Sequence, residues 1–363
     1  MANYKTKAEL DFEKEVVNQL TVGHNQWVER KDLYEATPEQ LWANLREKIN
    51  NNNYAVLQGQ PLTDQEFGRV QRAIEVQTPY EAAQLLAAEN GIGKIVIERD
   101  DAQLDKVTLE LFWKADVAGG KSSYEIVRQA VRPKGTNING DDQDRRFDVT
   151  LLINGLPLIQ LEFKKSTVEL GQAFTQIKKY AAESKYTGIY SLLQMFVIMS
   201  PDSSAYFANC EPGHFNDSFI FHWRTRDNKP VEDGLKFTQQ VLNIPMAHKL
   251  VSEYTVMDEE RKSLILLRPY QIFVLPGQKI YNATANDRLE RYCSRAGIPV
   301  ISVHGLRHTH ASLLLYAGVS IGSVARRLGH SNMNTTQRTY LHVIQELENQ
   351  DTDKIMRYLT TLM

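Results

Sequence analysis

The run Arg146-Phe147-Asp148-Val149-Thr150-Leu151-Leu152-Ile153-Asn154-Gly155-Leu156-Pro157-Leu158-Ile159-Gln160-Leu161-Glu162-Phe163-Lys164 decides how this chain is read. Val149, Leu151, Ile153, Ile159, Leu161 and Phe163 are apolar and odd-numbered, whereas Asp148, Thr150, Gln160, Glu162 and Lys164 are even-numbered and polar. Alternation with period 2 on both sides of Asn154-Gly155 predicts the two strands of a hairpin. Leu152 and Leu158 interrupt the pattern near the turn. Two strands that share a buried face pair odd with odd. That register sets Val149 against Leu161, Leu151 against Ile159, and Asp148 against Glu162. A strict two-residue turn at Asn154-Gly155 would instead pair Asp148 with Leu161 and send the two acids to opposite faces. The expectation is therefore a loop with an odd number of residues, or one bulge, near Gly155.

Opposed side chains in such a register lie about 4.5–5.5 Å apart at Cβ, close enough for two carboxylates to share one hard cation. A bound cation activates water and neutralises charge on a phosphate under attack. Lys164, two residues beyond Glu162, shares its strand face and can orient that water. The pattern acid, hairpin, acid-x-Lys is weak alone, because 24% of the chain is charged. The bland reading is an acidic strand end beside a surface Glu/Lys pair, and side-chain parity argues against it. Residues 169–183 then read as an amphipathic helix. Gln176 and Tyr180 are four apart and share a face. They either order the site and hold a phosphate, or are a solvated amide and a core-edge aromatic. Lys178 and Lys179 add positive charge nearby.

Residues 144–180, with RRFDVTLLINGLPLIQLEFKK followed by QIKKY, resemble the nuclease domain of type I restriction endonuclease R subunits, members of the PD-(D/E)xK nucleases. Asp148, Glu162, Lys164, Gln176 and Tyr180 match that pattern position by position, with Phe147 standing where Pro is usual. The resemblance covers residues 1–274. It implies an α/β fold: a nuclease core with a mixed central sheet flanked by helices. It also implies a Mg²⁺ ion, for which Mn²⁺ can substitute, held by Asp148 and Glu162. DNA is the implied substrate, and the methylation and specificity subunits of a restriction system are the implied partners. An acidic residue from an early helix is implied as well; Glu13, in the helix expected over 8–20, is the choice, with Glu9 next.

Composition sets the frame. The chain has 363 residues, enough for two domains, a 42% hydrophobic fraction and a net charge of −2. No global basicity advertises nucleic acid, so DNA contacts must come from local patches. Its two cysteines, Cys210 and Cys293, lie far apart and form no metal-spacing motif. That fits a reducing, cytoplasmic setting. No apolar run approaches the roughly 18 residues of a membrane span. Expected helices are 7–20, 38–50, 64–76, 80–89, 233–242 and 246–256. Expected strands are 94–98, 107–113, 124–131, 194–199 and 219–223.

Leu267-Arg268-Pro269-Tyr270-Gln271 resembles the entry to the helicase motor of R subunits, yet no G-x-x-x-x-G-K-[ST] phosphate loop occurs. No complete ATP site, and neither ATP hydrolysis nor translocation, is expected. Beyond residue 277 the sequence changes character. His304-Gly305-Leu306-Arg307-His308, Leu328-Gly329-His330 and Arg338-Thr339-Tyr340 resemble the catalytic half of phage-integrase-type tyrosine recombinases, over roughly residues 279–345 of a small all-α segment expected at 279–363. The resemblance makes Tyr340 the nucleophile, Arg307 the phosphate clamp, and His304 and His330 supports for charge and proton transfer. That family's upstream Arg and Lys have no counterpart here. The expected function is thus Mg²⁺-dependent DNA phosphodiester hydrolysis of the type I restriction kind, truncated before the motor. The alternatives are DNA integration or recombination through Tyr340, and a non-catalytic DNA-binding fusion remnant.

Overall fold

The computed structural model describes residues 6–23, 27–75, 77–87, 91–101, 105–117, 120–134, 143–166, 169–274, 289–291, 293–300, 302–328, 336–337 and 339–340. The chain divides into two compact units, Met1–Val274 and Leu275–Met363.

The first unit is built on a six-stranded mixed sheet. Its strands are β1 (Val28–Glu29), β4 (Tyr124–Arg132), β5 (Arg145–Ile153), β6 (Leu156–Phe163), β7 (Met195–Ser200) and β8 (Ser203–Ala208), adjacent in that order. β1 runs parallel to β4 and β6 parallel to β7; the other neighbours are antiparallel. β2 (Ile92–Glu98) and β3 (Lys106–Trp113) form a separate hairpin, as do β9 (Thr255–Asp258) and β10 (Ser263–Leu266). Helices α1 (Lys7–Thr21), α2 (Pro38–Asn52), α3 (Asp64–Glu75) and α4 (Pro79–Ala87) precede most of the sheet. α5 (Leu170–Ala182) links β6 to β7, and α6 (Gly234–Val241), α7 (Ile244–Ser252) and α8 (Pro269–Val274) follow β8.

Strand parity sorts the core into two layers. Met195, Val197 and Met199 of β7 join the main cluster with Phe12, Val16, Leu151 and Leu161. Phe196 and Ile198 of the same strand join Ala173, Phe174 and Ile177 of α5. β7 is therefore buried on both faces, which is why it reads as an unbroken apolar run. Phe12 of α1 meets Phe163 edge to face at 5.7 Å, so α1 covers one face of the sheet and α5 the other.

The β5–β6 hairpin carries the expected register: Val149 pairs with Leu161 and Leu151 with Ile159, with a shift between Leu151 and Leu152. Nearer the turn, Leu152 pairs with Pro157 and Ile153 with Leu156, leaving Leu158 as the extra residue of a bulge. Asn154 (φ 56°) and Gly155 (φ 77°) make a two-residue turn of the kind that needs two positive φ values. A tight turn and odd-with-odd pairing thus coexist because one bulge sits between them.

Some expectations differ from the structure. The run 219–223 is not a strand: Asp217–Phe219 is a 3₁₀ turn, and Phe221 makes only an isolated bridge to Tyr206. The helix expected to reach 256 ends at Ser252, because Thr255 opens the β9–β10 hairpin. β8 and that hairpin were not expected.

In the second unit, the helix Val303–Tyr316 is capped by Ser302, whose Oγ accepts from Gly305 N at 3.0 Å, and a second helix spans Ile321–Leu328. Ala311, Leu315, Val324 and Leu328 pack together with Tyr340.

Candidate active site

Asp148 and Glu162 both lie at the end of the β5–β6 ladder, and each is only 2% exposed. The last pair of the ladder is Val149 with Leu161. One step further a side chain joins the two strands: Phe163 N donates to Asp148 Oδ2 at 2.8 Å. β6 stays bound to β7 there, with Lys164 N donating to Met199 O at 2.9 Å. The two strands therefore part at the two acids, and the Asp148 carboxylate occupies the opening.

On the other side of Asp148 the sheet is also irregular. Arg128 pairs with Val149 and Ala130 with Phe147, so Gln129 stands opposite Asp148 where the ladder is interrupted. Gln129 has φ 56°. Successive strand side chains normally point to opposite faces. Here Arg128 Nε (3.0 Å) and Gln129 Nε2 (2.9 Å) both reach the carboxylate of Glu13 on α1. The left-handed residue is what allows adjacent side chains to converge. Arg128 also bonds Glu29 of β1 at 3.2 Å.

α5 brings in the next pair. The Gln176 amide donates from Nε2 to Glu162 Oε1 and, at 3.1 Å, to the Tyr180 hydroxyl. Its Oε1 accepts from Lys164 Nζ at 2.8 Å, and Lys164 Nζ also lies 3.3 Å from Glu162 Oε1. Only one orientation of the amide satisfies all of these partners, since the flipped one would set oxygen against carboxylate. Burial pushes the Tyr180 phenol well above its ordinary pKa, the Glu162 charge adds to this, and Arg145 opposes it. Tyr180 is therefore a neutral hydroxyl at physiological pH.

The early helix supplies two acids in different settings. Glu13 is fully buried on Arg128 and Gln129. Glu9 closes a capping box with Thr6, and its Oε1 accepts from Lys165 N at 3.3 Å. Burial works to raise the Glu9 pKa, but the Thr6 hydrogen bonds, the Lys164 charge and Lys165 N together hold it below the ordinary value. Of the two, Glu9 is the one against the Lys164–Lys165 segment.

The donor set suits a hard divalent cation. Asp148 and Glu162 are nearly buried carboxylates on adjacent strands, and Lys164 Nζ lies against Glu162. Among the described residues no group of three or more His, Cys, Asp or Glu side chains could hold a metal. Two carboxylates are nevertheless a usual complement for Mg²⁺, whose remaining positions go to water and substrate phosphate.

Arg145 and Glu183 were not singled out from sequence. Arg145 bonds both oxygens of Glu183 at 2.7 and 2.5 Å, and its guanidinium lies 5.1 Å from the centre of the Tyr180 ring. Nothing in the spacing of 145, 180 and 183 marks them; only the fold brings them together.

Residues 7–215 match the family model described as type I restriction enzyme R protein N terminus. The chain belongs to this family. Over 270 residues it is 28% identical to a type I restriction enzyme endonuclease subunit of Staphylococcus aureus strain COL, covering 74% of this chain and 26% of that protein. Over 155 residues it is 34% identical to the EcoprrI endonuclease subunit of Escherichia coli, covering 42% of this chain and 47% of that protein. The R-protein-like chain thus spans about a quarter of the Staphylococcus relative and about half of the Escherichia one. Asp148, Glu162, Lys164, Gln176 and Tyr180 all fall inside the matched stretch.

Residues 234–346 match the phage integrase family. Over 74 residues the chain is 43% identical to tyrosine recombinase XerC of Bifidobacterium longum strain DJO10A, covering 20% of this chain and 21% of that protein. The early part of the family match falls on α6, α7 and the β9–β10 hairpin, whose Phe237, Val241, Leu250 and Leu266 belong to the main core of the first unit. Tyr340 is 2% exposed and packs among Ala311, Leu315, Val324 and Leu328, with its ring 5.4 Å from that of His308. His330 lies outside the described residues, as do the side chains of His304 and Arg307. No helix of the described residues is long and apolar enough to cross a membrane.

Proposed function

We propose that residues 1–274 form a Mg²⁺-dependent DNA endonuclease domain of the type I restriction kind, and that residues 279–363 are a partial tyrosine-recombinase segment. One observation carries the reading: Asp148 and Glu162 stand on adjacent strands just past the last pair of the β5–β6 ladder, and Lys164, Gln176 and Tyr180 are hydrogen-bonded to one another or to Glu162.

Asp148 and Glu162 would hold the cation, with Mn²⁺ as an acceptable substitute. The bound ion would supply a more acidic water and charge neutralisation at the phosphate. The chain's own groups do the rest. Lys164 Nζ, fixed between Glu162 and Gln176, is placed to orient the attacking water and to offset charge developing on the phosphate. Tyr180, kept protonated by burial, can donate a hydrogen bond from its hydroxyl to a phosphate oxygen. Gln176 holds the rotamers of Glu162, Lys164 and Tyr180 together, which limits reorganisation on binding. Glu9, with Glu13 behind the sheet, completes the acidic contribution of α1. The partners would be DNA and the methylation and specificity subunits of a restriction system, in the cytoplasm. ATP hydrolysis is not part of the proposal, because the chain has no phosphate-loop motif.

The test is nicking of supercoiled plasmid by the purified chain in Mg²⁺, in EDTA and as Asp148→Ala. Nicking that needs metal and disappears in Asp148→Ala supports the assignment. Equal rates in EDTA, or in the variant, refute it.

A second reading, strand exchange through Tyr340, has the integrase match behind it. The burial of Tyr340 weighs against it, since a nucleophilic phenol must reach a DNA phosphate. Its discriminator is a covalent protein–DNA adduct on a nicked suicide substrate that Tyr340→Phe abolishes.

A further inference from the structure

We propose that Arg145 is a positioning residue of this site: by clamping Glu183 and covering the Tyr180 ring, it fixes α5 to the strand that carries Asp148. The proposal rests on the nuclease reading above and adds residues to it.

Three elements must stay in register for the site to exist: β5 with Asp148, β6 with Glu162 and Lys164, and α5 with Gln176 and Tyr180. β5 and β6 are tied by their ladder and by Phe163 N on Asp148. β6 and α5 are tied by the Gln176 amide. The third side of the triangle is Arg145, three residues before Asp148. Its guanidinium bonds both oxygens of Glu183, one residue past the end of α5, at 2.7 and 2.5 Å. It also lies 5.1 Å from the centre of the Tyr180 ring, whose hydroxyl accepts from Gln176 at 3.1 Å. Position therefore passes from Arg145 through Tyr180 and Gln176 to Glu162 and Lys164.

The local chemistry suits that role. The side chains of Arg145 and Glu183 are 10% and 12% exposed, so the pair is little screened by solvent. A planar fork that bonds a carboxylate twice and stacks on an aromatic ring fixes direction as well as distance. Lysine can supply the charge but neither the fork nor the stack. At the start of α5, Glu169 at the N-cap makes no side-chain capping bond. The other face of α5 rests on Phe196, Ile198 and Phe207, contacts that set its depth but are less directional.

The experiment compares wild type, Arg145→Lys, Glu183→Gln and the double variant in the full chain. Mn²⁺ affinity is read by calorimetry without DNA, and plasmid nicking is read against Mg²⁺ concentration. Removing a direct partner of a metal ligand typically costs about 10–100-fold in metal affinity; Arg145 acts through Tyr180 and Gln176, so the low end of that range applies. We expect Mn²⁺ affinity to fall and the Mg²⁺ midpoint to rise by about 10-fold in each single variant. The double variant should be little worse than either single one, because both changes break one interaction. A loss of folded protein alone would scale the nicking rate equally at every Mg²⁺ concentration and leave the midpoint in place. Unchanged Mn²⁺ affinity, an unchanged Mg²⁺ midpoint, or additive losses overturn the proposal. Mn²⁺ binding that Asp148→Ala removes, in a wild type that does not nick DNA, would overturn the nuclease reading; the calorimetry would still decide the role of Arg145.

Discussion

The carboxylate of Asp148 accepts a hydrogen bond from the backbone N–H of Phe163 at 2.8 Å, one step beyond the last backbone pair of its hairpin. Asp148 is therefore both a candidate metal ligand and a structural peg. Repulsion between neighbouring acids suggests that removing Asp148 stabilises the metal-free protein. The peg opposes this, because Asp148→Ala removes a buried hydrogen bond, at a cost of about 0.5–1.5 kcal/mol. Asp148→Asn keeps an acceptor for Phe163 N while removing the charge. Both variants should lose nicking, whereas urea titrations should place Asp148→Asn at or above wild-type stability and Asp148→Ala below it. Equal stabilities for the two variants would remove the peg from the account.

Gln176 holds its partners through a fixed pattern of donors and an acceptor. Gln176→Glu keeps the volume but turns a carboxylate toward Glu162, where the amide now donates. Two adjacent carboxylates at pH 8 repel, and the arrangement of Lys164 would be lost. Nicking should fall by about 10- to 100-fold in kcat, the scale of a small misplacement of catalytic groups. KM for DNA should change little. A variant whose defect lies wholly in KM would make Gln176 a DNA contact and not an organiser.

Much of this was legible because parity is a hard constraint. Six odd-numbered apolar residues admit one facing of the strands, and that facing required a bulge, found at Leu158. Gln176 and Tyr180 were legible as a helix pair, but their partners were not. Periodicity puts Glu9 and Glu13 on neighbouring positions of α1 and cannot say that Glu9 meets Lys165 while Glu13 meets Arg128 and Gln129. The positive φ of Gln129 has no sequence signal, since glutamine carries no preference for that region. Arg145 and Glu183 are thirty-eight apart in sequence and look like ordinary surface charges until the fold buries them. The run 219–223 has the composition of a strand, yet its only backbone bridge to the sheet among the described residues is Phe221 with Tyr206.

The hairpin turn offers a separate test of the register. Gly155 has φ 77°, and a Cβ placed on it would lie 3.0 Å from Leu45 Cα and 3.2 Å from Lys48 Cγ on α2. Asn154 anchors the same turn, accepting from Ser123 N at 2.9 Å and donating to Leu111 O at 3.1 Å. Gly155→Ala therefore meets both a strained backbone and a close contact, a loss of about 1–3 kcal/mol. Thermal melts should show a lower Tm, with nicking retained below it, because the turn lies at the far end of the hairpin from Asp148. An unchanged Tm would mean that the turn is not held as described.

His248 gives the clearest pH dependence. It is fully buried in α7, stacked on Phe112 at 4.9 Å, with Nε2 3.0 Å from Trp113 O and Nδ1 3.0 Å from Tyr124 OH. Burial lowers its pKa below the ordinary 6.5, against the opposing pull of the Trp113 and Lys114 backbone, Asp116 and Glu253. Below about pH 6.5 the unfolded chain binds this proton while the folded one does not. Stability from His248 is thus complete above pH 6.5 and falls as pH drops toward the lowered folded value, at up to about 1.4 kcal/mol per pH unit. Glu9 and Glu183, both held below the ordinary 4.5, act in a lower window: their contribution is lost only as pH falls through their own depressed values. Unfolding free energies of wild type and His248→Gln, measured from pH 5 to 8, should differ most at the alkaline end and converge on acidification. Parallel curves across that range would mean that His248 titrates alike in the folded and unfolded chain.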